Sequence, residues 1–371
     1  MAMNCFAFID VSGVSATDAL TTYGPWLVGW LAGWMLLWRL RPLPGVDASP
    51  QRPTRRSVAV IIPARDEAAA LPVLLPPLLA GSRPGDELVV VDDHSSDSTS
   101  TVALRHGARV EHPPDPPDGW LGKPNACWHG AQSSTAEILA FIDADVVPPA
   151  DLIDRIAAAV TTHDGEVVSV QPWHRPGSWT EHLSLFCNVT ALMGVGRFSI
   201  IGERVAPRTA FGPVLAIDRN RYEHIGGHAH REVRSRHTED IAIARQAGSA
   251  QLYTGAPDIA FRMYPGGLGD LVRGWTRSLA TGARSVRWWA ALGTVAWIWS
   301  LTAGPTVAWW LYLPSALQVW VLGRRAGAFS PWAAIAYPIP LAVFAWVFVR
   351  SAIAVIFGRR VEWKRRQVDA R

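Results

Sequence analysis

The sequence predicts an α/β domain set between apolar segments long enough to cross a membrane, and three observations carry that prediction. Short apolar runs at 58–62, 87–91 and 138–142 each end in carboxylates. A segment of helical composition follows the first run, so strand, helix and strand alternate over roughly 30 residues, as in a parallel βαβ unit. Three uncharged stretches, 19–38, 288–322 and 330–349, reach the roughly 20 residues a bilayer requires. Thirteen of the nineteen Trp residues lie in them, as expected where indoles anchor helices at a membrane interface.

Length and composition set the outer limits. With 371 residues, 49% of them hydrophobic, the chain can hold a catalytic domain and membrane segments together. The net charge is only +4, but Arg39, Arg41, Arg52, Arg55 and Arg56 follow the first stretch directly. By the positive-inside rule this places residues 39 to about 285 in the cytoplasm. The basic clusters abut apolar spans, so a membrane surface and no nucleic acid is expected as partner. Cys5, Cys127 and Cys187 have neither disulfide-framework nor zinc spacing, which fits a reducing compartment. The N-terminus has no basic start and no small-residue cleavage site, so 19–38 reads as a retained anchor.

Residues 39–57, rich in Pro and Arg, read as a linker. The first strand, 58–62, then runs into Pro63-Ala64-Arg65-Asp66-Glu67, and the second, 87–91, ends at Asp92-Asp93-His94-Ser95. Neither is followed by Gly-x-Gly-x-x-Gly, and 119–123 lacks P-loop spacing, so neither a dinucleotide site nor a P-loop is expected. The third strand delivers Asp143 and Asp145 to its C-terminal edge, where open α/β sheets bind ligands. Two hard oxygen donors there suit Mg2+ or Mn2+, whose remaining ligands would be waters and a substrate diphosphate. The carboxylates of Asp92 and Asp93 can accept hydrogen bonds from the base and ribose of a nucleotide; the alternative is a turn in which Ser95 caps a helix. Lys123 is either a point charge for phosphate or an ordinary surface lysine.

Val-Ile-Ile-Pro-Ala-Arg-Asp-Glu at 60–67, Val-Val-Val-Asp-Asp-His-Ser-Ser-Asp at 89–97 and Phe-Ile-Asp-Ala-Asp at 141–145 together resemble the nucleotide-sugar half of family-2 glycosyltransferases. The resemblance implies the GT-A fold, a Rossmann-like mixed sheet. Gly-Trp-Leu-Gly-Lys-Pro-Asn-Ala-Cys at 119–127 is similar to the segment before the metal motif in membrane members acting on carotenoids and hopanoids. Carried over to this chain, the resemblance implies that Pro63, Ala64, Glu67 and Asp93 line the nucleotide site, beside Asp92, already read as able to accept hydrogen bonds there. It implies further that Lys123 lies near the diphosphate and that Asp145 with Asp143 holds Mg2+ or Mn2+.

Further along, 167–173 reads as a strand. Residues 183–201 form an apolar stretch in which Arg197, Gly194 and Gly196 argue for an amphipathic or core helix near the acceptor entrance rather than a span. Asn188-Val189-Thr190 is a glycosylation sequon that a cytoplasmic domain would not present. Residues 211–228, ending in Gly226-Gly227-His228, resemble the family's acceptor-side element; the alternative is a plain Gly-Gly turn. At 237–240, His-Thr-Glu-Asp opens a helical run that Thr238 can cap. The resemblance makes Asp240 the catalytic base, with Glu239 on the acceptor side; without it, both are first-turn acids favoured by the helix dipole.

The Gln-x-x-Arg-Trp motif of processive polymer synthases is missing, and Arg262-Met-Tyr-Pro with Gly274-Trp275-Thr276 resembles the carotenoid-acid glucosyltransferase branch instead, with Trp275 on the acceptor side. Residues 268–287, with Arg273, Arg277, Arg284 and Arg287 among Leu, Val and Trp, suit an interfacial helix or a solvated one. Residues 288–322 are either a hairpin turning at Gly304-Pro305 or one long tilted helix. The basic tail after 358 resembles the ending of the same branch.

The expected organisation is an anchor and linker at 1–56, a GT-A catalytic domain at 57–265, an interfacial helix at 266–287, C-terminal membrane helices at 288–358 and a basic tail at 359–371. The expected function is inverting, metal-dependent transfer of one sugar, glucose from UDP-glucose, to a membrane lipid such as a carotenoid acid or alcohol, by a multi-pass protein of the cell membrane. The rival readings are a hopanoid or polyprenyl phosphate acceptor, a nucleotidyltransferase, and a non-catalytic membrane partner.

Overall fold

In the computed structural model, residues 16–46, 55–282, 286–357, 361–363 and 366–368 are described. Arg52, Arg284, Cys5 and most of the basic tail lie outside the described residues.

The strands are β1 (Val58–Ala64), β2 (Glu87–Asp92), β3 (Arg109–Glu111), β4 (Ile138–Ile142), β5 (Val146–Val147), β6 (Val167–Gln171), β7 (Trp173–His174), β8 (Val214–Asp218), β9 (Ala250–Thr254) and β10 (Ala260–Phe261). The helices that matter to the site are α1 (Ala16–Leu36), α2 (Leu71–Gly81), α3 (Thr99–Arg105), α4 (Gly122–Gln132), α5 (Leu152–Thr162), α6 (Leu185–Gly194), α7 (Arg219–His224), α8 (Arg231–Arg234), α9 (Glu239–Ala247) and α10 (Leu268–Gly282). They are followed by α11 (Trp288–Val307), α12 (Tyr312–Ala326), α13 (Pro331–Ile335) and α14 (Pro338–Ile356).

Seven strands form one sheet in the order β3-β2-β1-β4-β8-β6-β9. The parallel arrangement expected from the βαβ spacing holds from β3 through β4, but β8 runs antiparallel to both β4 and β6, so the sheet is mixed. Both faces of β1 are covered, which is why it reads as an unbroken apolar run. Ala59 and Ile61 enter one core with α4 and α6, whereas Val58, Val60 and Ile62 enter the other with α2 and α5.

Part of the expected linker is packed. Leu43 N donates to Thr254 O (3.0 Å) and Thr254 N to Arg41 O (2.7 Å), laying this segment against β9. Arg55 is held by Asp86 (2.5 Å) and Asp154 (2.6 Å).

The apolar helices assemble through small residues. A Cβ on Gly33 would fall 2.4 Å from the Trp297 ring, and one on Gly304 2.3 Å from Trp26, so α1 and α11 lie close together only because glycine stands there. The stretch 288–322 is neither one long helix nor turned at Gly304-Pro305. The helix runs through Pro305 to Val307 and breaks at Ala308, whose backbone is extended. Helix α12 then folds back, with Trp297 Nε1 donating to Gln318 Oε1 (2.9 Å). Arg325 Nη1 reaches Leu37 O (2.6 Å), which returns Arg324 and Arg325 to the domain side. The last stretch is shifted from 330–349: α13 is short, and the long helix begins at Pro338, where proline suits a first helical turn. Among the described residues α14 is the one helix both long and apolar enough to cross a bilayer. Helices α1 and α11 have the length but draw much of their apolar character from Trp, Ala and Gly.

Candidate active site

One cavity of about 2170 Å3 extends from the carboxyl edge of the sheet to the apolar helices. Its polar end is built by three strand ends. At the end of β1, Pro63 and Ala64 line the wall, and just beyond it Asp66 and Glu67 do. This loop is fixed by the segment after β2: Asp66 Oδ1 accepts from Ser96 N (2.7 Å), Glu67 N donates to Thr99 Oγ1 (2.9 Å) and Asp93 N to Ala64 O (2.8 Å). Asp66 holds φ 54°, a strained conformation for a non-glycine residue, at the cavity wall. Of the two acids after β2, Asp93 lines the cavity and pairs with Arg65 (3.5 Å). Asp92 does not line it; its carboxylate accepts from Ser95 N (2.9 Å) and the Ser100 hydroxyl, fixing the turn. The turn of the alternative reading is thus present for one member of the pair, but Ser95 does not cap a helix: Ser98 stands at the start of α3, and the Ser95 hydroxyl accepts from Asp66 N (3.0 Å).

At the end of β4, Asp143 N donates to Pro213 O (2.9 Å), which brings Gly212 opposite the Asp-x-Asp turn. Lys123, in the first turn of α4, is no ordinary surface lysine. Its Nζ lies 2.7 Å from Asp143 Oδ1 and 2.9 Å from Glu239 Oε1. Burial by itself would lower the ammonium pKa, but the Asp143 and Glu239 carboxylates outweigh it and raise it well above the ordinary value. The ion pairs join the strand-end carboxylate to the start of α9.

Helix α9 begins with Glu239 and Asp240, both at the cavity wall. Thr238 occupies the cap position without making the expected side-chain cap bond. A Cβ on Gly212 would sit 3.4 Å from Asp240 Oδ2 and 3.8 Å from Lys123 Nζ, so glycine leaves room where the two meet. Enclosure by protein, then the neighbouring Glu239, lift the Asp240 carboxyl to about 8. Asp145 is exposed to the cavity solvent but ringed by protein atoms beyond it; that enclosure first, then Asp143 and Glu67, raises its carboxyl to about 7, with water at its open face working against the rise.

The donor set at β4 fits a hard divalent cation. Asp143 and Asp145 would supply oxygen ligands, and the positive charge of a bound cation would offset the Asp143 and Glu67 charges that, after burial, raise Asp145. Among the described residues no group of three or more His, Cys, Asp or Glu could hold a metal, so the protein would supply a partial shell. That is the usual case for Mg2+ or Mn2+ carrying a diphosphate.

Trp275 lines the cavity beside Tyr264, their rings 6.2 Å apart. Gly226 and Gly227 do not line it. Both have positive φ, and a Cβ on Gly227 would overlap the Tyr222 ring at 2.3 Å, so the pair closes a turn against Tyr222. His228 is buried beneath, its Nδ1 2.9 Å from Tyr222 Oη. Among the wall residues to which sequence reasoning gave no site role are Gly212, His237, Tyr264 and Arg277. All four sit in segments it did single out, 211–228, 237–240, Arg262-Met-Tyr-Pro and 268–287, and the φ of 60° at Tyr264 marks a second strained point on the wall. Burial lowers His237 to about 4, with Arg277 adding to the effect, so the imidazole is neutral near pH 7.

The far end of the cavity is apolar. Thr190, Ala191, Gly194 and Val195 of the α6 region form its floor; Ala291, Thr294, Val295, Ile298 and Thr302 of α11 form one wall; Leu341, Phe344, Ala345, Phe348 and Val349 of α14 form the other. The spacing on each helix is that of a single face.

A family model described as glycosyl transferase family 2 matches residues 59–186. Two relatives from Staphylococcus aureus bear the name 4,4'-diaponeurosporenoate glycosyltransferase. That of strain MRSA252 is 30% identical over 335 residues, covering 84% of this chain and 88% of the relative. That of strain USA300 is 31% identical over 333 residues, with the same coverage of 84% and 88%. A mannosyltransferase, PcManGT from Pyrobaculum calidifontis, solved in complex with GDP-Man and Mn2+, shares the fold with a TM-score of 0.53 at 18% identity, covering 91% of this chain and 96% of that one.

Proposed function

The chain belongs to glycosyl transferase family 2, and from that membership we propose that it moves one sugar, glucose from UDP-glucose, onto a long apolar acceptor dissolved in a membrane. The observation that carries this reading is the continuity of one cavity from the strand-end carboxylates to the slot between α11 and α14. A polar donor fits one end and an apolar tail the other. The relatives named for diaponeurosporenoate favour a carotenoid acid as acceptor over an alcohol, a hopanoid or a polyprenyl phosphate.

In this reading Pro63, Ala64, Glu67 and Asp93 bind the nucleoside, and Asp143 with Asp145 holds Mg2+ or Mn2+. The cation supplies positive charge that offsets the leaving diphosphate when bound. Lys123 shifts from Asp143 toward the phosphate as the donor arrives, keeping its second tie to Glu239. Trp275 and Tyr264 shape the passage to the acceptor. An acceptor oxygen attacks the anomeric carbon on the face opposite the diphosphate, the bond to UDP breaks, and configuration inverts. With a hydroxyl acceptor, Asp240 takes the proton. A carboxylate acceptor is already ionised near neutral pH and needs no base. Asp240, its carboxyl raised to about 8 by burial and then Glu239, then donates a hydrogen bond that positions it.

The membrane placement rests on α14 and on large apolar side chains left exposed on neighbouring helices, among them Val28, Leu292, Trp299 and Leu313. With Arg324 and Arg325 on the domain side, the protein is a multi-pass enzyme of the cell membrane whose catalytic domain faces the cytoplasm. Membranes containing the protein, given radiolabelled UDP-glucose and host lipid with and without Mg2+ or Mn2+, test the reading. The expected product is a cation-dependent labelled lipid that mild alkali cleaves, as an acyl glucose ester should. An alkali-stable labelled lipid replaces the acid by an alcohol, and label from another nucleotide sugar alone replaces the donor.

A further inference from the structure

A second pocket, of about 540 Å3, lies beside the catalytic cavity and shares Val195 and Thr209 with it. Four arginines line it: Arg204, Arg208, Arg245 and Arg287; the remaining lining residues are uncharged. None of these guanidinium groups makes an ion pair or a side-chain hydrogen bond among the described residues. Glu203, the neighbouring acid, is instead engaged by Arg41 (2.6 Å) and Arg39 (3.7 Å).

The four arrive from separate parts of the fold. Arg204 and Arg208 stand on the segment between α6 and β8, Arg245 in the last turn of α9, and Arg287 at the cap of α11. All four arginines are solvent-exposed, so water screens their mutual repulsion, but clustered around one pocket without a counter-charge they hold a positive potential there that draws an anion. Guanidinium forks match phosphate oxygens in pairs. The chain neighbours of the pocket are apolar and exposed: Ile200 (51%), Ile201 (44%) and Trp288 (75%). Basic groups rimmed by exposed apolar side chains are what a protein presents to an anionic bilayer surface.

We propose that the pocket binds a phosphate group and that its source is the headgroup of an anionic phospholipid. Because α9 carries Asp240 at its start and Arg245 at its end, and residue 208 precedes the cavity wall at 209–213, a headgroup here ties the catalytic carboxylate to the bilayer surface. The inference needs no particular sugar acceptor.

The test uses the full chain in detergent, titrated with phosphatidylglycerol, phosphatidylcholine or inorganic phosphate and read by native mass spectrometry. Phosphatidylglycerol should be retained in preference to phosphatidylcholine. Arg204→Gln with Arg245→Gln should weaken that retention about five-fold per arginine removed. Arg245→Lys should keep most of it, and Arg105→Gln, on exposed α3, should change nothing. Phosphate binding without phosphatidylglycerol binding, lost in the double variant, keeps the anion site and overturns the lipid source. Equal retention of both lipids, or retention undiminished in the double variant, overturns the proposal. No arm reads turnover, so failure here leaves the glycosyltransferase reading untouched.

Discussion

The two ends of the catalytic cavity are built in opposite ways. The polar end comes from contiguous motifs at the tips of β1, β2 and β4, locked by short hydrogen-bonded loops. The apolar end comes from faces of α6, α11 and α14, which are far apart in sequence and meet only through packing. The contrast suggests that nucleotide-sugar chemistry is fixed by strand-end loops, whereas acceptor choice is set by helix faces that can vary without disturbing it.

The largest effects should come from the polar end and should divide by role. Asp145→Ala is expected to abolish cation-dependent UDP binding by calorimetry. Asp240→Asn should keep that binding while turnover falls on the order of 100-fold or more, if the acceptor is a hydroxyl that needs a base. Equal loss of binding in both variants would falsify the division.

Lys123→Met should follow. It leaves Asp143 and Glu239 facing each other without a cation, at about 1–2 kcal/mol of stability, below the cost of a fully buried broken pair because Lys123 keeps contact with the cavity solvent. Added Mn2+ should restore much of the lost melting temperature. If Mn2+ stabilises wild type and variant equally, Asp143 is not shared between Lys123 and the cation.

The raised carboxyls set the pH behaviour. Asp145, lifted to about 7, and Asp240, lifted to about 8, keep protons in the folded state that the unfolded chain has lost above about 4. Stability of the cation-free protein should therefore fall as pH rises from 5 to 8, and fall less in Asp240→Asn; a flat wild-type melting profile would contradict the burial argument. Turnover separates the acceptor classes on the same axis. With an alcohol it should rise through pH 8 as Asp240 ionises, and with a carboxylic acid it should decline there.

The parts legible in the sequence were those in which one short segment does one job. The three strand tips, the Asp-x-Asp turn and the start of α9 are each contiguous, so the family resemblance could be carried over onto Glu67, Asp93, Asp143, Asp145 and Asp240, and all five reach the cavity. Asp92 could not be separated from Asp93, because side chains alternate along an extended segment and register decides which one faces the ligand. The Gly226-Gly227 pair signals a tight turn in any fold, and only the Tyr222 ring shows what the turn packs against. Lys123 between Asp143 and Glu239 was invisible, since the three are separated by 20 and 96 residues along the chain. The apolar stretches were found by composition; the start of the last long helix at Pro338 carries a local signal that composition passes over, whereas the break at Ala308 does not fall at the Gly304-Pro305 that the sequence offered.

A smaller effect should come from helix assembly. Gly33→Val places its Cβ in the Trp297 ring and should cost about 1–3 kcal/mol by overpacking, read as a lower detergent-solubilised melting temperature with donor affinity unchanged. A loss of UDP binding in this variant would mean that the two ends of the cavity are less independent than the comparison holds.

The most direct test of the central claim charges the apolar slot while leaving the polar end intact. Val295→Asp and Phe348→Asp, singly and together, would be assayed for slow hydrolysis of UDP-glucose and for transfer of label into lipid. Sugar transfer to lipid should fall at least ten-fold with hydrolysis and UDP affinity retained. Transfer at wild-type rates in the double variant would show that the acceptor does not pass between α11 and α14.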